Sequence, residues 1–197
     1  MRMIAMGAAG LSAVLLAIAL MLSIVLGTIG PVLSDQNGSG LEGPAPAQPF
    51  RGSSAGCTED DPTTRGCLTP ATLNALNAVL ATFGPTGRAI RAVSCWDPHL
   101  QNPSSDHPKG RACDIFPTTA GTFPVGDQLA HGWQIANWLR TNAASLHVHY
   151  LIWQGRYWDI TTADENGWGV PYNGGGIYNV SDPTGGHYDH IHLSVAD

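Results

Sequence analysis

The chain begins with a long apolar run before its pattern becomes mixed. No charged residue occurs over residues 3–34, and residues 11–26 are rich in Leu, Ile, Val and Ala. A secretory signal usually has an apolar centre of about 7–15 residues, whereas a membrane-spanning helix needs about 20. The pattern predicts an N-terminal membrane anchor over residues 1–35, with a cleaved signal segment as the alternative. Arg2 then favours a cytoplasmic N-terminus and places the rest of the chain outside the membrane.

Residues 36–56 are rich in Gly, Pro, Ser and Ala, and they predict a flexible linker because they carry little apolar surface. A folded domain is expected over residues 57–197, where helical and strand-like patterns follow one another. Apolar residues at helical spacing predict helices over residues 70–83 and 127–146. The predicted strands are 88–96, 110–116, 147–153, 157–161 and 190–195. This order predicts an α+β fold with a small antiparallel sheet flanked by helices.

The apolar residues of the two predicted helices recur at helical spacing, which predicts one buried face on each. The expected buried residues are Leu73, Leu76, Leu80 and Phe83 in the first helix, and Trp133, Ala136, Leu139, Ala143 and Leu146 in the second. Thr69 is a suitable N-cap with Pro70 at the first helical position.

Four cysteines follow the linker, and an even number in an exported chain indicates disulfides. Three pairings are possible. We favour Cys57–Cys67, which closes a short loop, and Cys95–Cys113, which joins two predicted neighbouring strands. A zinc site made of four cysteines is disfavoured because the chain has no Cys-x-x-Cys spacing.

The charge pattern excludes one class of partner. The formal net charge is −6, and the basic residues form no stripe. Nucleic-acid-binding domains usually carry a basic face, so no nucleic-acid partner is expected.

Two distant stretches carry most of the candidate chemistry. Residues 105–114 contain His107 and Asp114, and residues 187–192 read His-Tyr-Asp-His-Ile-His. Side chains alternate across a strand, so His190 and His192 are expected on one face. His107, Asp114 and His192 together would give three protein ligands, a set that suits Zn²⁺ with one position left open.

Such a zinc site would lower the pKa of its bound water to about 7 and polarise a substrate carbonyl. His190 is the predicted catalytic residue that moves protons to the leaving amine. His187, three residues earlier, is expected to assist it. Asp189 is expected to fix the tautomer of an imidazole by accepting a hydrogen bond from the ring nitrogen that faces away from the metal.

The motif Ser-x-His-x-x-Gly-x-Ala-x-Asp, starting at Ser105 and followed later by His-x-His, resembles a zinc metallopeptidase superfamily. That superfamily joins lysostaphin-type endopeptidases, D-alanyl-D-alanine carboxypeptidases and hedgehog domains, and the chain is similar to small exported actinobacterial domains within it. The resemblance implies a hedgehog/D-Ala-D-Ala peptidase-like fold, with zinc bound by His107, Asp114 and His192. It gives His190 the catalytic role, and Ser105 is expected to support the site.

The run His-x-x-His-x-His at residues 187–192 is also similar to penicillin-insensitive murein endopeptidases. The resemblance therefore implies hydrolysis of peptidoglycan peptides by a zinc-dependent murein endopeptidase or carboxypeptidase, tethered to the cell membrane with its domain outside. Secretion after signal cleavage is the alternative location. The alternative functions are a non-catalytic zinc-containing module that binds cell wall or a partner, and a structural component of an envelope machine.

A second His-x-His occurs at His147 and His149 and competes with the later pair for the metal-binding role. It directly follows a predicted helix, where histidine commonly interacts with the helix C-terminus. It also lacks the neighbouring acidic and histidine residues of the later pair. His99 and His131 are expected at the surface.

Overall fold

The computed structural model describes residues 43–84 and 89–197. The predicted membrane anchor at residues 1–35 lies outside the described residues. Within those two ranges, none of the helices has the length and apolar character that crossing a membrane requires. Residues 44–197 make up one compact unit.

The first helix, α1, spans Pro70–Phe83 as the sequence predicts. The Thr69 side chain accepts a hydrogen bond from the backbone N–H of Thr72, and Gly84 ends the helix with a φ of 86°. The predicted buried face is only partly right. Leu76 is fully buried, but Leu73, Leu80 and Phe83 are half-buried, and the most buried positions also include Ala71, Ala75 and Val79.

The second predicted helix is divided into α2, Asp127–Thr141, and α3, Ala143–Leu146. Asn142 lies between them. Its side-chain amide donates to the carbonyl of Trp138, which is the type of local hydrogen bond that competes with a continuing helix. Four of the five residues predicted to be buried are buried, but Trp133 is half-buried, and the sequence pattern did not show the break at Asn142.

In the part of the chain that the structure describes, eight strands form two antiparallel sheets. The strands are β1 Glu59–Asp60, β2 Cys67–Leu68, β3 Ala92–Ser94, β4 Ala112–Phe116, β5 Val148–Trp153, β6 Arg156–Asp159, β7 Val170–Pro171 and β8 Ile191–Val195. A six-stranded sheet carries the core, in the order β3-β4-β8-β5-β6-β7, and β1 and β2 form a separate pair. The domain is therefore α+β with antiparallel sheets and few helices, as predicted.

The strands differ in extent from the prediction at the sheet edge. The predicted strand 88–96 pairs only at Ala92–Ser94, and β7 comes from a region predicted to be irregular. Both are edge strands, which are short in many sheets and carry weak sequence patterns.

One face of the sheet packs on the helices, and the other carries the polar residues of β4, β8 and β5. Ile191, Leu193 and Val195 of β8 lie in the core. On the opposite face, Asp114 of β4 pairs with His192, and Tyr150 of β5 pairs with Ser194. The alternation predicted for the last strand places both histidines away from the core.

Both predicted disulfides are present. Cys57–Cys67 lies beside the β1–β2 pair, and Cys95–Cys113 ties the end of β3 to β4. Cys95 and Cys113 are fully buried. The second disulfide therefore lies directly beneath the strand that presents Asp114.

Residues 44–50, which fall within the predicted linker, are hydrogen-bonded to the helical layer. Ala47 donates to the Asn142 side chain at 2.7 Å, and Trp138 donates through Nε1 to the carbonyl of Ala45 at 2.9 Å. Phe50 donates to the carbonyl of Ser145 at 2.9 Å. We call residues 44–50 the strap. The division of the chain at residue 57 stays a prediction.

Candidate metal centre

Three elements converge on one point of the polar sheet face. Asp114 and His192 are directly opposed on β4 and β8. His107 begins a short 3₁₀ turn, His107–Lys109, that ends at Gly110 with a φ of 69°. A Cβ atom at residue 110 would lie 2.5 Å from the carbonyl oxygen of Cys67, so only glycine fits there.

The Asp114 carboxylate lies at the centre of this cluster. Its Oδ1 is 3.0 Å from His192 Nδ1, 3.3 Å from His107 Nε2 and 3.5 Å from His190 Nε2. His107, Asp114 and His192 each offer one ligand atom, all within 4.8 Å of one another. The three residues predicted to converge therefore do so, and as a group they could hold a metal ion.

In His107 and His192, one ring nitrogen faces Asp114, and the other ring nitrogen has a hydrogen-bond partner elsewhere. His107 Nδ1 donates to the carbonyl of Cys95, which can only accept, so Nε2 is the nitrogen that faces Asp114 and that could bind a metal ion after losing its proton. His192 Nε2 lies 3.3 Å from the hydroxyl of Tyr150, and its Nδ1 faces Asp114. Partners of this kind fix ring orientation in metal sites.

The histidines and the carboxylate of the cluster are electrostatically coupled. Burial lowers the pKa of His107, but the Asp114 carboxylate outweighs it and raises that pKa to about 9. Burial alone would raise the pKa of Asp114, yet His190 and His107 hold it well below its usual range. A buried carboxylate that attracts a proton on His107 offers the same attraction to a cation.

His190 forms a carboxylate–imidazole pair with Asp189. His190 Nδ1 lies 2.6 Å from Asp189 Oδ1, while Asp189 Oδ2 accepts from the Gly121 N–H at 2.6 Å and the Thr184 hydroxyl at 2.8 Å. Burial lowers the pKa of His190, but Asp114 and Asp189 outweigh it and raise it. The Asp189 carboxylate therefore faces His190 Nδ1, while His190 Nε2 is directed at Asp114 of the cluster, 3.5 Å away.

His187 and Ser105 occupy the positions around this centre. His187 is 8% exposed, has a φ of 55°, and its ring centroid lies 4.6 Å from that of His190. Burial holds the pKa of His187 well below its usual value, so its ring is neutral. Ser105 Oγ accepts from the backbone N–H of His107 at 3.3 Å, which supports the turn.

A buried acid that the sequence did not single out anchors the turn of His107. Asp106 accepts from Arg111 at 2.6 Å, Lys109 at 3.1 Å and the Ser194 hydroxyl at 2.6 Å. Burial raises the pKa of Asp106, but Ser194, Arg111 and Lys109 together lower it to about 2. These bonds tie the turn to β8.

Two aromatic residues of the site were also missed. His99, expected at the surface, is only 18% exposed; its ring stacks on His107 at a centroid distance of 5.0 Å, and its Nε2 lies 3.0 Å from the Tyr178 hydroxyl. The prediction for His99 is wrong because no local pattern reports a contact between two irregular loops. Tyr150 was detectable only through the register of β5 against β8.

The earlier His-x-His pair does not join the cluster. His149 is exposed, and His147 ends α3 in a left-handed conformation with its ring against Phe50. Trp153 and Trp158 are core residues.

The cluster opens into a cavity of about 420 Å³, which we call the first cavity. It is walled by the loop that carries His99 and by the irregular loop before β8. A family model described as the C-terminal domain of VldE matches residues 64–186, more than half of the chain.

This chain belongs to the VldE C-terminal domain family. The stretch that matches the VldE C-terminal domain contains His107 and Asp114 and ends one residue before His187. No curated protein and no solved structure matches the chain significantly. The VldE match supplies a family but no activity, so function must be argued from the site.

Proposed function

We propose that this protein is an exported zinc-dependent peptidase that hydrolyses peptide bonds of peptidoglycan. The observation that carries the proposal is the convergence of His107, Asp114 and His192 beside the Asp189–His190 pair, at the floor of an open cavity. A mixed set of imidazole and carboxylate ligands with an adjacent acid–base residue is the arrangement of hydrolytic zinc sites.

The donor set fits zinc better than the other common divalent cations. Two imidazoles and one carboxylate suit a borderline-soft ion, whereas Ca²⁺ and Mg²⁺ prefer an all-oxygen environment. The available ligand atoms are His107 Nε2, Asp114 Oδ1 and His192 Nδ1, since the other nitrogen of each ring faces Cys95 or Tyr150. When bound there, zinc supplies Lewis acidity that activates water and a carbonyl group.

The protein's own residues perform the proton movements. Because Asp189 accepts the proton of His190 Nδ1, His190 Nε2 is free to take a proton from water and to deliver it to the leaving amine. Neutral His187 lies beside His190 and assists without adding a competing charge. His107 must release its proton to bind metal, so metal binding and proton release are coupled.

Two further arguments support the substrate and location. The resemblance to lysostaphin-type and D-alanyl-D-alanine peptidases, with a hedgehog/D-Ala-D-Ala peptidase-like fold, indicates peptidoglycan peptides as substrates. Two disulfides in a small domain favour an oxidising compartment outside the cytoplasm. A membrane anchor at residues 1–35 would hold the domain near the wall.

The test combines metal analysis with mass spectrometry of digested peptidoglycan. We expect about one equivalent of zinc per chain, release of peptide fragments from purified sacculi, and loss of both after treatment with a chelator. Zinc-loaded protein that leaves every muropeptide bond intact would refute the peptidase proposal.

The His190→Ala variant distinguishes a peptidase from a non-catalytic binding module. A peptidase loses turnover in this variant while it retains zinc, because His190 is not one of the three proposed ligands. If wild-type protein binds muropeptides without cutting them, and His190→Ala binds them equally well, the binding module is the correct function.

A further inference from the structure

The first cavity continues into a second cavity of about 460 Å³. The two share six lining residues: Asn102, Tyr150, Ile152, Tyr172, Ile177 and Tyr178. Tyr150 marks the junction, because its hydroxyl lies 3.3 Å from His192 and its ring stacks on Tyr157 at a centroid distance of 5.4 Å. The cleft therefore extends well past the candidate metal centre.

The shape of this cleft fits a chain that continues beyond the bond to be cut. An enzyme that removes a terminal residue needs a closed end close to the reacting atoms. Here the second cavity extends the cleft to Val170 and Pro171 of β7 and to Gly174 and Gly175, none of which lines the first cavity. The combined space has room for several residues on that side of the centre.

The charges along the cleft disfavour a terminal carboxylate. Among the described residues that line the two cavities there is no Lys or Arg, and the carboxylates Asp114 and Asp182 and all of the histidines line only the first cavity. Lys109 and Arg111 are paired with Asp106. Arg156, opposite Pro171 in the sheet, does not line either cavity and donates to the carbonyls of Trp168 and Gly169. A carboxylate placed in the second cavity would lose hydration without gaining a countercharge.

Neutral hydrogen-bonding groups of the second cavity suit the interior of a peptide. Asn102, Asn173 and the tyrosine hydroxyls offer donors and acceptors of the kind that pair with backbone amides. Resting on the proposed function, we infer that this protein is an endopeptidase that binds uncharged chain in the second cavity and cuts internal bonds. Water adds across the internal amide, the C–N bond breaks, and one new carboxyl and one new amine form.

The experiment uses muropeptides released from purified peptidoglycan by a muramidase. Zinc-loaded protein should convert cross-linked dimers into monomers while it leaves the terminal residue of monomers in place. Removal of terminal residues with dimers left intact overturns the inference but leaves the peptidase proposal standing. If neither product forms, the proposed function itself fails, and mass spectrometry distinguishes these outcomes.

A binding measurement tests the charge argument without turnover. Zinc-loaded His190→Ala protein should bind C-terminally amidated monomers at least about fivefold more tightly than the free acids. A cation introduced by Ile177→Lys, at a position that lines both cavities and is 50% exposed, should abolish this preference. Ile160→Lys, at a 69% exposed position outside both cavities, is the matched control and should retain it. Equal binding of acid and amide by the His190→Ala protein, or an unchanged preference in the Ile177→Lys variant, overturns the inference.

Discussion

The two His-x-His pairs stand at the beginnings of two adjacent antiparallel strands, β5 and β8, yet only one pair contributes to the candidate metal centre. His190 and His192 are buried and face Asp114, whereas His149 is exposed and His147 packs against Phe50. The sequence motif is the same in both pairs. What differs is the set of groups that the fold places around the rings.

A shift in register explains why the earlier pair is not presented in the same way. The pairing of β5 with β8 changes register between Val148 and Tyr150, so His149 has no partner opposite it. Val148 is thereby buried in the core, while Tyr150 faces the site. A bulge of one residue is enough to reverse which face a side chain occupies.

The largest effect is expected when the same substitution is made in each of the two His-x-His pairs and the zinc affinities of the two variants are compared. His192→Ala removes a proposed ligand and should weaken zinc binding by more than about 100-fold, since loss of an outer hydrogen-bond partner alone costs about 10–100-fold. His149→Ala should leave zinc affinity unchanged, because His149 is exposed and outside the cluster. Competition with a chelator measures both, and equal losses in the two variants would refute the ligand assignment.

The carboxylate behind His190 has no counterpart in the earlier pair, and its removal should have the next largest effect. Asp189→Asn removes the anionic partner that holds the His190 tautomer and should lower kcat about 100-fold while one equivalent of zinc is retained. Peptide release and metal content are measured on the same sample. A parallel fall in zinc content would indicate that Asp189 supports the metal rather than the proton transfer.

The support beneath His107 gives a prediction about pH. The Asp61 carboxylate accepts hydrogen bonds from the backbone N–H of Trp96 and from the Thr63 hydroxyl. The Thr63 hydroxyl in turn accepts from the backbone N–H of Cys95, and the carbonyl of Cys95 accepts the hydrogen bond from His107 Nδ1. Burial raises the pKa of Asp61, but the hydrogen bonds of Thr64, Trp96 and Thr63 lower it below its usual 3.8. The carboxylate therefore adds stability above pH 3.8, and this contribution is lost as the pH falls below it.

Asp61→Asn should lower the free energy of unfolding by about 1.5–3 kcal/mol at neutral pH, the typical value for hydrogen bonds to a charged group. Below pH 3.8 the difference from wild type should shrink. Denaturant unfolding at several pH values measures this. Asp60→Asn, at an exposed neighbouring position, is the control and should be near neutral. A difference that stays constant with pH would contradict the role of the charge.

Much of the site could be read from the sequence because its residues lie on strongly patterned elements. Alternation placed His190 and His192 on one face, and the motif linked His107 to Asp114. The contributions of His99 and Tyr150 could not be read, since they depend on loop packing and on the β5–β8 register. The break at Asn142 could not be predicted for a similar reason. The Asn142 side chain donates to the nearby carbonyl of Trp138, but it also accepts from the backbone N–H of Ala47, a contact distant in sequence that the helical pattern does not report.

A smaller loss of zinc affinity is expected from mutation of Tyr150, which follows His149 in the sequence and faces the candidate metal centre. Tyr150→Phe removes the hydroxyl that lies 3.3 Å from His192 Nε2 and keeps the ring stacked on His192. Zinc affinity should fall by about tenfold, the lower end of the cost of losing an outer partner. Tyr157→Phe, which keeps the stacking on Tyr150 but loses only its bond to Asp159, is the control. Unchanged zinc affinity in Tyr150→Phe would show that the hydroxyl does not orient His192.

The smallest effect is a loss of folding stability when the strap that contacts His147 is removed. It tests whether the earlier His-x-His pair has a packing role that is independent of metal binding. The strap places Phe50 against His147 and satisfies the indole N–H of Trp138. A chain that begins at Arg51 should lose about 1 kcal/mol of folding stability relative to one that begins at Gly43, because these bonds disappear. Its zinc affinity should be unchanged, since no strap residue lies in the cluster. A stability loss with constant zinc affinity would establish that His147 belongs to the helix–strap packing, whereas a parallel fall in zinc affinity would mean that the two histidine pairs are coupled through β5 and β8.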